Sequence, residues 1–243
     1  MNMNISEDAR TLGERAARLA AEKINEAIAE RGEARVALST GASQFTTLEA
    51  LTAEKVDWSR VELFHLDEYA GISPDHPASF CRYIKERFAD KLPIKRVNYI
   101  YMNGDMEEMI RQVTERIREK PVDVGLIGIG ENAHVAFNDP PADYETDQAY
   151  IVVSLDEACR RQQVREGWFA DIDSVPREAV TMTVRQIMSC RSIISAVPFA
   201  VKAQAVQKMM MTPVDHMVPA TILKTHSDLN LFLDRESAAL ICR

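Results

Sequence analysis

The densest concentration of reactive residue types runs from Gly125 to Pro140. Three of the nine glycines, Gly125, Gly128 and Gly130, fall here, and Glu131, Asn132, His134, Asn138 and Asp139 follow at once. Glycine lets the backbone come close to another group, and histidine is the side chain most easily used as an acid or base near neutral pH. A nearby carboxylate or amide can fix its tautomer, as in triad chemistry. His134 is therefore a candidate acid–base group, with Asn132, Asn138 and Asp139 close enough in sequence to orient it; a lone histidine is more often structural, but the surrounding polar residues at a strand end favour the functional reading. No metal is expected there, because no second His or Cys lies nearby at ligand spacing.

A second group is His65-Leu66-Asp67-Glu68-Tyr69. Two adjacent carboxylates close a run that should be a buried strand, and Asp and Glu are almost never fully buried unless paired. A carboxylate at a strand's carboxyl end is well placed for general-base work. The competing reading is a solvated turn in which one carboxylate caps the following loop. A third group, Ser39-Thr40-Gly41-Ala42-Ser43, lies between an expected strand and an expected helix. Free amides at a helix N-terminus attract an anion, and the Thr40 and Ser43 hydroxyls add donors. The segment matches neither a Walker A loop nor a GxGxxG fingerprint, so no nucleotide is implied. Its plainer alternative is a turn with Ser43 as cap. Cations come from Arg160, Arg161 and Arg165, beside Gln162 and Gln163, and from Lys202 at the start of a helix. They can pair with an anionic substrate or be solvated surface.

Alternating elements must position these groups. A first helix is expected with Ser6 as its cap, Leu12, Ala16, Leu19, Ala20, Ile24 and Ile28 on its apolar face, and Gly32 as its stop. Strands are expected at 36–39, 61–66 (with alternating exposure at its start), 97–101, 123–129, 150–155, 179–183, 192–197 and 229–233. Helices are expected from Ser43, from Ser79, over 106–118 and over 201–211. Such alternation implies βαβ units around a parallel sheet, with functional loops at the carboxyl ends of the strands. No linker divides the chain, so one α/β domain over 1–243 is expected.

The charge balance, 29 basic against 37 acidic residues, gives −8. That argues against a nucleic-acid partner, which calls for a basic face, but leaves room for a locally cationic pocket. No apolar run reaches the roughly 18 residues of a membrane span, and no signal peptide is visible. The four cysteines show no zinc-type spacing. A cytoplasmic protein with reduced thiols is expected.

In chain order, STGASQFTTLEAL at 39–51, LDEYAG at 66–71, HPASF at 76–80, GIGENAHVAFNDP at 128–140, Val175-Pro176 and PATILKTH at 219–226 resemble the glucosamine-6-phosphate deaminase (isomerase) family. The resemblance implies a Rossmann-like three-layer α/β sandwich with a mostly parallel central sheet. It also implies an enzyme that converts glucosamine 6-phosphate to fructose 6-phosphate and ammonia without cofactor or metal. By that likeness Asp67 is the base that moves a proton between C2 and C1, His134 assists ring opening, and Asp139 orients His134. Thr40, Gly41, Ala42 and Ser43 form the phosphate loop, and Lys202 contacts phosphate. A lid-like segment at about 156–176 adds an arginine, best matched by Arg165, with Arg160 and Arg161 as alternatives.

The histidine loop departs from the family: Asn132 replaces a carboxylate, Ala133 a glycine and Asp139 a glutamate. The nearest other readings are a 6-phosphogluconolactonase-like hydrolase and a non-catalytic sugar-phosphate sensor. Family members occur as monomers and as closed assemblies, so a homo-oligomer stays open, and the Met209-Met210-Met211 run suits either core or interface.

Overall fold

The strand segments of this chain are short and apolar on both faces, which calls for a sheet covered from both sides. The computed structural model describes residues 1–101 and 104–242. Its strands are β1 (Asn2–Ser6), β2 (Ala34–Leu38), β3 (Val61–His65), β4 (Asp67–Tyr69), β5 (Arg96–Asn98), β6 (Val124–Leu126), β7 (Tyr150–Ser154), β8 (Glu178–Met182), β9 (Ser192–Val197) and β10 (Leu229–Asp234). The helices are α1 (Ala9–Arg31), α2 (Phe45–Ala53), α3 (Phe80–Arg87), α4 (Met106–Arg118), α5 (Glu157–Arg165), α6 (Val184–Met188) and α7 (Ala203–Met211).

Seven strands form one sheet in the order β1-β10-β9-β6-β2-β3-β5, and every pairing in it is parallel. Side chains alternate across it. On β2 and β3, Val36, Leu38, Val61 and Leu63 pack with Leu12, Ile24 and Leu48 of α1 and α2. Ala37 and Phe64 point the other way, into a core shared with Val113, Ile117, Ile187 and Val206 of α4, α6 and α7. The result is the expected three-layer α/β sandwich. From β2 the chain winds outward through β3 to β5, then returns to β6 beside β2 and winds the other way through β9 to β10. The reversal lies between β2 and β6, where an open α/β sheet leaves a crevice at its carboxyl edge. Leu38 pairs with both His65 and Leu126, so the loops after β2, β3 and β6 leave the sheet at one level.

Five features differ from the sequence expectation. β4, β8 and β7 are not in the main sheet; they form a separate antiparallel one, which puts 150–155 and 179–183 outside the parallel set. Residues 2–6 form an edge strand, and the cap of α1 is Asp8, which accepts from Thr11 N, rather than Ser6. β3 shows no alternating exposure. Glu62 is buried because Arg35 Nε at 3.1 Å, Arg116 Nε at 2.5 Å and Asn98 Nδ2 at 3.0 Å all meet its carboxylate. Their hydrogen bonds outweigh burial, which alone would raise its pKa, and hold it below the ordinary value. Ser43 makes no cap bond; a short 3-10 turn, Ala42–Gln44, precedes α2.

The α1–α2 contact is close enough to demand glycine. A Cβ on Gly13 would lie 2.7 Å from the Thr46 carbonyl carbon. Gly13→Ala is expected to destabilise the fold by about 1–3 kcal/mol through overpacking; a denaturant titration compared with the parent chain measures it.

Candidate active site

A cavity of about 360 Å³ opens at the carboxyl edge of the sheet, across the reversal point. It gathers residues from five separate stretches. Thr40, Gly41, Ala42 and Ser43 follow β2; Asp67 follows β3; His134 follows β6; Arg165 ends α5; Lys202 follows β9. Asn132 and Asp139 stand behind His134 rather than on the wall. Phe80, Phe137, Trp168 and Phe199 supply apolar surface.

The two neighbouring carboxylates have opposite environments. Glu68 accepts four hydrogen bonds: from Ser79 Oγ at 2.7 Å, Cys81 N at 2.8 Å, Tyr69 N at 3.0 Å and Phe80 N at 3.2 Å. It thereby satisfies the open amides at the start of α3. Asp67 is 6% exposed, and its Oδ1 has no partner among the described residues. Burial, reinforced by the Glu68 charge, pushes its carboxyl up to about 8. Neither reading from the sequence covers both: Glu68 ties down the loop and the first amides of α3 beside the Ser79 cap, buried rather than solvated, while Asp67 is a carboxyl of raised pKa facing the cavity.

His134 is held from one side. Its Nδ1 lies 2.8 Å from Asp139 Oδ1, and the same oxygen accepts from Asn132 Nδ2 at 2.9 Å. Asn132 also accepts from the His134 backbone amide at 3.0 Å. A carboxylate can only accept, so Nδ1 carries the proton and Nε2 is left as the reactive nitrogen. Burial would raise Asp139, but its bond to His134 and that of Asn132 to it outweigh burial and leave the carboxyl below its ordinary value. Asn132 thus supports the dyad as a donor to Asp139, a task a carboxylate at that position cannot perform. Gly130 makes room for the ring, since a Cβ there would fall 2.1 Å from Nε2. The loop is braced from below by Ala220 N, which donates to Ala133 O at 2.8 Å. Ala133 itself is held at φ 68°, in the region that favours glycine.

Cys159, from α5, completes a cluster in which one ligand-type atom each of His134, Asp139 and Cys159 lies within 4.8 Å of the others. Nothing in the local sequence marks it, because it arrives from another element. The three are too few to close a structural metal site, and Nδ1–H is committed to Asp139.

The other end of the cavity carries the cations. Lys202 is 7% exposed, so it is not the surface lysine that its sequence setting also allowed. It ends a short 3-10 turn ahead of α7. Burial lowers its pKa, while the charges of Glu166 and Glu131 act the other way. Among the lid arginines only Arg165 reaches the cavity. Arg160 is spent on the Ile172 and Val175 carbonyls, and Arg161 pairs with Glu157 on the surface. Arg165 Nη2 meets Glu131 Oε2 at 2.5 Å. Glu131 and Glu166 therefore balance Lys202 and Arg165, and the lining of the cavity is not the locally cationic one that the sequence leaves room for. The turn after β2 keeps its shape through Tyr83 OH, which donates to Gly41 O at 2.9 Å, with Gly41 at φ 100°.

Residues 7–231 match the family model for glucosamine-6-phosphate isomerases/6-phosphogluconolactonase. The chain belongs to this family. Among similar proteins, a glucosamine-6-phosphate deaminase of Bacillus pumilus is 32% identical over 99% of this chain and 100% of its own length. Glucosamine-6-phosphate deaminase 1 of Bacillus subtilis is also 32% identical, over 94% of this chain and 95% of its own. A solved monomeric glucosamine-6-phosphate deaminase superposes with a TM-score of 0.89 at 30% identity, covering 99% of this chain and 100% of that one. A putative 6-phosphogluconolactonase of Neisseria gonorrhoeae shares the fold, with a TM-score of 0.75 at 19% identity over 96% of this chain and 99% of that one.

Within this family framework, the histidine's seat depends on Gly130. Gly130→Ala is expected to drive the imidazole off Asp139 while the fold survives. The readout is the Nδ1–H signal of His134 by NMR, shifted from its hydrogen-bonded position in the parent and absent there in the variant.

Proposed function

We propose that this chain is a glucosamine-6-phosphate deaminase: an aldose–ketose isomerase that releases ammonia from an amino-sugar phosphate. The single observation that carries the reading is Asp67, a buried carboxyl whose Oδ1 has no partner among the described residues, raised to about 8 and open to the same cavity as His134. Isomerisation needs one strong base that serves two adjacent carbons, and a carboxyl raised toward neutral pH is suited to that. The relatives that match over nearly the whole chain carry the same name.

In this reading the phosphate rests on the turn of Thr40, Gly41, Ala42 and Ser43, with Lys202 and Arg165 as its cations. His134 Nε2 exchanges a proton with the ring oxygens and opens the pyranose to the aldehyde. Asp67 takes the proton from C2 and returns it to C1, while the C2 amine gives up one proton and the C1 oxygen gains one, so the aldehyde becomes an alcohol and the amine an imine. Water adds to that imine, ammonia leaves, and a ketose phosphate remains. The remote phosphate fixes where C1 and C2 lie relative to Asp67. Asn132 and Asp139 act through His134. No residue in this sequence of steps requires a metal or cofactor.

We treat 1–243 as one catalytic domain, with about 156–176 as a lid. Supporting this, α5 brings Arg165 to the cavity wall, and Phe169 packs edge-on against Tyr69 at 5.4 Å. No described helix is long and apolar enough to cross a membrane. The free cysteines suit a cytoplasmic setting. No nucleic-acid partner is proposed.

The pH dependence follows in sign from the raised carboxyl. The base must be ionised, so kcat/KM for glucosamine 6-phosphate should climb with pH and level off above about 8. Asp67→Asn is expected to lower kcat by about 10²–10⁴ while inorganic phosphate still binds. Ammonia release measured beside lactone hydrolysis decides the reaction. Activity on 6-phosphogluconolactone alone would make the chain a lactonase, and phosphate binding with neither activity would make it a sensor.

A further inference from the structure

We propose that Glu131 is a counter-ion exchanged for substrate: it pairs with the Arg165 guanidinium and competes for it with the phosphate, so that Glu131 sets the affinity for phosphorylated ligands. This deepens the function proposed above and rests on its placing the phosphate at the Lys202–Arg165 end.

Glu131 lies in the turn after β6, one residue beyond Gly130 and three before His134. Arg165 is the last residue of α5. They share nothing in sequence, yet meet at 2.5 Å on the wall of the cavity. A guanidinium fork takes a carboxylate or a phosphate in the same geometry, so the two anions are alternatives for one group. Among the described residues, Glu131 is the side chain that Arg165 bonds. The second carboxylate of this end, Glu166, accepts from Trp168 Nε1 at 3.2 Å and is tied independently of the cations. Glu131 is thus the one of the two positioned to be replaced.

The exchange is easy. The Arg165 side chain is 59% exposed, and ion pairs of that kind hold weakly. It is also selective. A monoanion entering the site offers Arg165 no more charge than Glu131 already does, whereas a phosphate dianion offers more and reaches Lys202 as well. Two cations and two carboxylates then make a site that rests neutral and favours a doubly charged ligand.

The test uses the full chain and inorganic phosphate as the probe, titrated by calorimetry into the parent, Glu131→Gln, Arg165→Met and the double variant. Glu131→Gln is expected to tighten phosphate by about twofold to fivefold, the range a weak ion pair allows, and to lower KM for glucosamine 6-phosphate by the same factor. In the Arg165→Met background the Glu131→Gln gain should vanish. Glu131→Ala must move affinity in the same direction as Glu131→Gln. Unchanged or weaker phosphate binding in Glu131→Gln overturns the proposal, as does an equal gain in both backgrounds, which would mean a general field effect on Lys202. An opposite shift in Glu131→Ala overturns it too. Phosphate binding is read without the amino sugar, so a parent chain that shows the expected phosphate shifts but releases no ammonia refutes the deaminase reading and upholds the role of Glu131.

Discussion

The Glu68 carboxylate is the tie on which the site depends. It follows directly from the central sheet through β3, lies in β4 of the small sheet, and receives the first amides of α3. One side chain therefore locks three units together at the carboxyl edge. Its neighbour Asp67 has no partner for Oδ1 among the described residues, and burial together with the Glu68 charge disfavours its ionised form. Two carboxyl groups adjacent in sequence become an anchor and a group of raised pKa because the donors are shared unequally.

The parallel sheet does the remaining positioning. Its reversal between β2 and β6 leaves a crevice that no connection crosses, and the level strand ends deliver loops into it side by side. Covering both faces of such a sheet also requires its few internal charges to be resolved, as Arg35, Glu62 and Arg116 do at the α4 side. Breaking one partner of a buried group like this costs far more than the pair contributes, so the rigid floor of the cavity rests partly on ions that never meet a substrate.

Much of this was legible in the sequence, for local reasons. Gly130, His134 and Asp139 stand within ten residues of one another, and Asp67 ends a mostly apolar strand, so spacing marks them as candidates, while the role of each comes from the resemblance to the family. Thr40 to Ser43 and Lys202 were marked by their place between a strand and a helix. What stayed hidden is what tertiary packing assembles. The small antiparallel sheet was missed because β4 has only three residues, and it pairs with a strand more than a hundred residues away. β1 was missed because a polar edge strand lacks an apolar run. Cys159, Glu131 and Glu166 look like ordinary polar or surface residues until α5 folds over the cavity, and that is also why the expected cationic pocket turned out balanced.

The edge-on contact between Tyr69 and Phe169 joins the 156–176 stretch to the surroundings of Asp67. Tyr69 is two residues from Asp67 and fully buried by that contact and by Phe80 and Phe137. Burial is the first cause of the high proton affinity of Asp67. The raised pKa is thus a property of the packing around the carboxyl rather than of the residue: an aspartate with the same neighbours in sequence but set in water would be an ordinary acid.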